Sequence, residues 1–235
     1  MPASDSTGWS PGSEAYDGGK TQDRGRRPAD VSDDVSTWAD LFERAAAVGA
    51  DEAAVAASTK RGATDDGNDG GETVDTPQEP AATRVAVAPA VLVADLFLGG
   101  PARAALNPLR AHSWTTLVAS DPLLDTAGIA VANLAADADP DLAADWRTRV
   151  EAWREQVVHP PDDDPTLGSA YRGGAMHVIS TDDRITSAAG GTALRTRVET
   201  SVREPAAFAA LFDAEGLYEH AVGGAYEGPD RDPRA

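Results

Sequence analysis

The chain has 235 residues, and 20 Lys and Arg against 39 Asp and Glu give it a net charge of −19, which excludes a protein that coats nucleic acid with a basic surface. With 41% hydrophobic residues and no apolar run near the roughly 20 residues that span a bilayer, it reads as soluble and not as a membrane protein. There is no cysteine, so disulfides, zinc-thiolate sites and thiol nucleophiles are all excluded.

Residues 1–33 are rich in Gly, Ser, Asp and Pro without hydrophobic periodicity and are expected to be disordered. Residues 61–81 read as an acidic Gly/Asp-rich linker of the same character. Between them, residues 34–60 predict a short helical hairpin. Trp38, Leu41, Phe42, Ala45 and Val48 fall at helical spacing behind candidate N-caps Asp34 and Ser36; Gly49 breaks the pattern, and Asp51 caps a second, Ala-rich turn. The hairpin is either an appendage packed on the main domain or a docking module for a partner protein.

Residues 82–215 read as the globular domain. The Val-rich run 83–97 predicts a buried strand that ends near Asp95. A helix over 102–110, a strand over 115–119 and a helix over 121–134, with Pro122 at an early position, follow. Residues 140–156 predict a longer helix with Leu142, Trp146, Val150 and Trp153 on one stripe. Then come a helix over 165–171, a stop at Gly173-Gly174 and a strand over 176–180. A helix over 185–189, an edge strand over 197–202, a helix over 205–212 and an extended tail from 216 to 235 complete the reading. Strands alternating with helices imply an α/β fold, a three-layer sandwich with a mostly parallel central sheet.

Lys20 and Lys60 are the only lysines, and aspartate dominates the acids. This balance resembles that of proteins from salt-in halophiles, where molar salt shortens the Debye length to about 3 Å and screens self-repulsion. The acidic start, Met1-Pro2-Ala3-Ser4-Asp5, has neither a basic n-region nor an apolar h-region, so a cytoplasmic location is expected.

In an open α/β sheet, ligands bind at the carboxyl ends of the strands. On the predicted elements those ends carry carboxylates. Asp95 closes the first strand, Asp121 and Asp125 follow the second, Asp164 opens the helix before the third, and Asp182 follows the third. Several carboxylates in one crevice repel each other unless a hard cation such as Mg²⁺ or Mn²⁺ neutralises them, and such ions activate water toward phosphodiesters. His112, His159, His177 and His220 lie apart without ligand spacing, and no GxSxG, P-loop or GxGxxG occurs.

Asp95, an acidic residue in the helix after the second strand, and the segment from Asp164 to Asp182 together resemble a PIN domain, the metal-dependent nuclease family that acts chiefly on RNA. The resemblance covers about residues 84 to 212, extends to haloarchaeal PIN-like proteins of unassigned function, and rests on Asp164, Ala170, Gly173, Gly174, Ser180 and Asp182 in order. It implies a ribonuclease with Asp95, Asp125, Asp164 and Asp182 as metal ligands and catalytic groups for Mg²⁺ or Mn²⁺, and with Ser180 in support. Asp121 is the alternative to Asp125, and Arg172 and Arg184 are candidates for substrate phosphates. Leu96 and Phe97 follow Asp95 where the family carries hydroxyl or amide residues. The alternatives are therefore a PIN-like binding or scaffold module without catalysis and, third, the toxin ribonuclease of a toxin-antitoxin pair. RNA, a protein held through residues 34–60, and a second copy of the chain are the partners these readings allow.

Overall fold

The computed structural model describes residues 36–62, 76–158, 164–186 and 200–235. Residues 1–33, most of the acidic linker, His159 and parts of the expected 185–189 and 197–202 elements lie outside the described residues. Five parallel strands form one sheet in the order β3-β2-β1-β4-β5: β1 (Ala81–Val87), β2 (Thr116–Ala119), β3 (Arg154–Gln156), β4 (Ala175–Ile179) and β5 (Ser201–Arg203). The fold is thus α/β with an all-parallel sheet between helical layers.

Register decides what each layer covers. Val85 pairs with Leu117 and His177, Val87 with Ile179, and Ile179 with Arg203, so these side chains share one face. That face meets the main core, built on α3 (Pro89–Phe97), α4 (Gly100–Ala111), α5 (Asp121–Ala135) and α6 (Leu142–Glu151). Ala86, Val118 and Val178 point the other way, toward Ala170 of α7 (Pro165–Arg172). The helices between β1, β2 and β3 lie on one side, and α7, which joins β3 to β4 across the sheet, lies on the other, as right-handed crossovers require.

The apolar run 83–97 is not one strand. Pro89 lacks an N–H and has its φ preset for a first helical turn, so β1 stops at Val87 and α3 starts at once. Val91, Leu92, Val93, Asp95, Leu96 and Phe97 are all buried, and a helix apolar on every side is not distinguishable from a buried strand by periodicity. The expected helix over 140–156 ends at Glu151, and 154–156 pair with β2 instead. Three polar residues on an edge carry no strand signal. At the C-terminal end, α8 (Asp183–Thr186) is followed by β5 and α9 (Pro205–Leu211). A further helix, α10 (Ala214–Ala221), capped by Asp213, occupies the start of the expected tail.

The hairpin is part of this domain. In α1 (Trp38–Val48), Thr37 and Asp40 form a reciprocal capping box, one residue on from the expected cap Ser36, and Gly49 closes the helix in the left-handed conformation. Trp38, Leu41, Phe42 and Ala45 enter the main core. Asp51 caps α2 (Glu52–Gly62) by accepting from Ala54 N at 2.8 Å, and Ser58 Oγ donates to Ala130 O of α5 at 3.1 Å. Arg44 grips Asp139 at 2.7 and 2.9 Å and Asp145 at 2.6 Å, which holds its guanidinium above the ordinary value. The tail closes the same corner: Asp230 N and Arg231 N donate to Ala111 O, and Ala39 N to Arg234 O at 2.9 Å. No single helix among the described residues is long and apolar enough to cross a membrane.

Gly174 sets the start of β4. Its φ is +61°, and a Cβ there would lie 2.4 Å from Glu79 O, so only glycine fits. Because Trp38 fills the core, Trp38→Ala is expected to cost about 3–5 kcal/mol in urea unfolding. A cost below about 1 kcal/mol would mean that the hairpin is an independent appendage.

Candidate functional site

The carboxyl ends of the strands are less acidic than the sequence suggests. Beyond β1 stand Ala88 and Pro89, beyond β2 Ser120 and Asp121, beyond β4 Ser180, Thr181 and Asp182. Three buried hydroxyls line this edge. Ser120 N donates to Ser169 Oγ at 3.0 Å, the two hydroxyls are 3.0 Å apart, and Ser180 Oγ accepts from Asp182 N at 3.0 Å. Ser180 therefore supports the turn that carries Asp182.

Each predicted carboxylate is engaged by a cation or a backbone N–H. Asp164 accepts from Thr166 N and Leu167 N at 3.0 and 3.1 Å and is the N-cap of α7. Asp182 accepts from Arg184 through its backbone N at 2.9 Å and through Nε at 3.0 Å, and this guanidinium holds the Asp182 carboxyl below its ordinary value. Arg184 is thereby engaged with Asp182. Arg172 ends α7, where its carbonyl accepts from Gln78 N at 3.0 Å. Asp121 meets Arg154, Gln156 at 2.8 Å and Arg147 at 3.5 Å, and Arg147 also holds Asp125 and Glu151 at 2.6 Å each. A polar hollow of about 480 Å³ lies at Asp121, Glu151, Arg154 and Gln156. The sequence offered a signal for the Arg147–Glu151 contact in its i,i+4 spacing, and none for Arg154, whose strand is too short to recognise.

Asp95 is the main correction. It does not close a strand but lies inside α3, with its side chain 2% exposed. Arg110, also 2% exposed, holds its carboxylate through Nη1 at 3.3 Å to Oδ1 and through Nη2 to Oδ2. Arg103 Nε donates to Oδ1 at 3.1 Å, and its fork also reaches the carbonyls of Asp95 and Leu96. Aromatic rings of the hairpin cover both cations. Arg103 Cζ is 3.3 Å from the Phe42 centroid, and Arg110 Cζ is 4.0 Å from that of Trp38 and 5.1 Å from that of Trp153. Burial pulls the Arg103 guanidinium below its ordinary value, against the attraction of Asp95. A carboxylate satisfied by two guanidinium groups under an aromatic lid has no open side for a metal ion.

The ligand set expected around Mg²⁺ or Mn²⁺ therefore does not fit these residues. Asp95 is sealed in the helical layer, and the remaining acids bind guanidinium or helical N–H groups. Among the described residues no three Asp, Glu or His side chains come together as a metal-binding group. The model of a family of unknown function, DUF7384, matches residues 79–234. The chain belongs to this family. No curated protein and no solved structure matches it. The DUF7384 span takes in every described strand, α3 through α10 and most of the tail, and leaves α1 and α2 outside, although both pack in the same core.

Asp95→Asn is expected to lower stability by about 3–5 kcal/mol, because it leaves two cations without their counter-charge in a buried place. Asp182→Asn, at a partly exposed pair, is expected to cost less than about 1 kcal/mol, and Asp121→Asn, whose half-exposed carboxylate faces the buried Arg154, an intermediate amount. Urea unfolding of the three variants in molar KCl checks this order.

Proposed function

We propose that this DUF7384 member is a PIN-like α/β domain that acts as a binding or scaffold module and does not cleave RNA. One observation carries the reading: the strand end that the resemblance assigns to the first metal ligand is Ala88-Pro89, and Asp95 serves a buried ion pair instead. A metal nuclease needs convergent carboxylates with free oxygen lone pairs, since hard cations take oxygen ligands and keep several waters. The segment from Asp164 to Asp182 spans α7 and β4, and in it Asp164 caps a helix and Asp182 holds Arg184. Leu96 and Phe97 are likewise core residues.

The metal-dependent ribonuclease is the second reading. It is favoured by the position of Asp121 and Asp182, which lie two and three residues beyond the carboxyl ends of β2 and β4. Titration of Mn²⁺ into the full chain in molar KCl, with RNA cleavage followed in parallel, separates the two. The binding reading predicts no aspartate-dependent Mn²⁺ site tighter than about 1 mM and no cleavage. Mn²⁺ binding and cleavage that both disappear in Asp121→Asn and Asp182→Asn proteins would favour the nuclease.

A further inference from the structure

The edge of the sheet opposite β3 is unlike the rest of the molecule. His177 of β4 and Arg203 of β5 project from the core face of the sheet, and α9 and α10 fold back over them. They border a half-open hollow of about 330 Å³, at the lower end of the range of small-molecule sites. Its walls are mainly apolar, with Phe208, Phe212 and Leu217 prominent, and its polar groups are few: His177, Arg203, His220 and Asp213.

Those polar groups are not equivalent. Asp213 is committed to the N-terminus of α10, where its carboxylate accepts from Gly216 N at 3.1 Å. Arg203 has no carboxylate partner among the described residues, in contrast to Arg44, Arg103, Arg110, Arg147, Arg154 and Arg184. His177 Nδ1 is buried without a hydrogen-bond partner, and its ring packs edge-on against Phe208 at 5.9 Å. Burial and the nearby Arg203 charge hold His177 below its ordinary value, which favours the neutral ring with one donor and one acceptor nitrogen. A buried ring nitrogen without a partner is costly, and Arg203 is a guanidinium beside apolar walls without a carboxylate partner among the described residues.

We propose that this hollow binds a small carboxylic acid with an aromatic or aliphatic body, its carboxylate paired with the Arg203 fork and hydrogen-bonded by His177, its body against Phe208, Phe212 and Leu217. A planar guanidinium matches a carboxylate bidentately, and a single guanidinium suits a monoanion better than a phosphate dianion. The site shares no residue with the acidic strand ends, so the Mn²⁺ result does not bear on it.

Phenylacetate, phenyl phosphate and phenylacetamide give one body with three heads. Each is titrated into the full chain while the His177 ring signals are followed by NMR. Phenylacetate is expected to bind saturably below about 10 mM, more tightly than the other two, and to raise the His177 pKa because an anion then faces the ring. Arg203 is half-buried on an edge strand, and Arg203→Gln is expected to weaken phenylacetate roughly tenfold while leaving phenylacetamide unchanged. The absence of saturable phenylacetate binding to the wild-type chain would overturn the proposal. So would equal affinity for phenylacetamide, a preference for phenyl phosphate, or phenylacetate binding indifferent to Arg203→Gln.

Discussion

Asp95 sits in α3 with two guanidinium groups on its carboxylate and two aromatic side chains of α1 above them, and four segments of the chain meet at that point. The carboxylate belongs to α3, both cations to α4, the lid of Trp38 and Phe42 to α1, and Trp153 to the turn between α6 and β3. A charge taken out of water at such a place is tolerable only with its counter-charge and its hydrogen bonds in place. The geometry of α3 against α4 and the docking of the hairpin are thus two sides of one constraint. Arginine suits it where lysine does not, because the planar fork bonds a carboxylate along its edge while its face stacks on aromatic rings.

The same use of arginine recurs at the strand ends. Arg147 and Arg154 bind Asp121, Asp125 and Glu151 in one network, and Arg184 binds Asp182 on its own, so acids that resemble a metal site in order of sequence are held by arginines in space. These outer pairs are partly exposed and weaken as salt screens them, whereas the Asp95 pair, shielded from solvent, does not. Salt therefore separates structural charge from surface charge in this molecule.

Much of the architecture was legible in the sequence, and the failures share a cause. Helical spacing of Trp38, Leu41 and Phe42, the Gly173-Gly174 stop and the strands near 116–119 and 175–179 all correspond to structure, because each has a period or a breaker of its own. The run 83–97 has neither, apart from Pro89. Read as a strand, it carries Asp95 to an open sheet edge; read with Pro89 as a first helical residue, it carries Asp95 into a packed helix. The candidate site followed that one choice. Which Arg lies opposite which Asp depends on contacts 15 to 33 residues apart, as for Arg110 with Asp95 and Arg154 with Asp121, and no local pattern encodes them. The hollow beside β5 is hidden for the same reason, since His177 and Arg203 become neighbours only through the register of β4 and β5.

The central claim is that Asp95 is a structural counter-charge, and a double-mutant cycle of Asp95→Ala and Arg110→Met in urea unfolding at molar KCl tests it most directly. Residues in direct contact within one buried network couple by about 0.5–3 kcal/mol, and a coupling in the upper half of that range, unchanged by Mn²⁺, is predicted. Additive effects within about 0.3 kcal/mol, or stability that Mn²⁺ raises in the wild type and not in Asp95→Ala, would contradict the account.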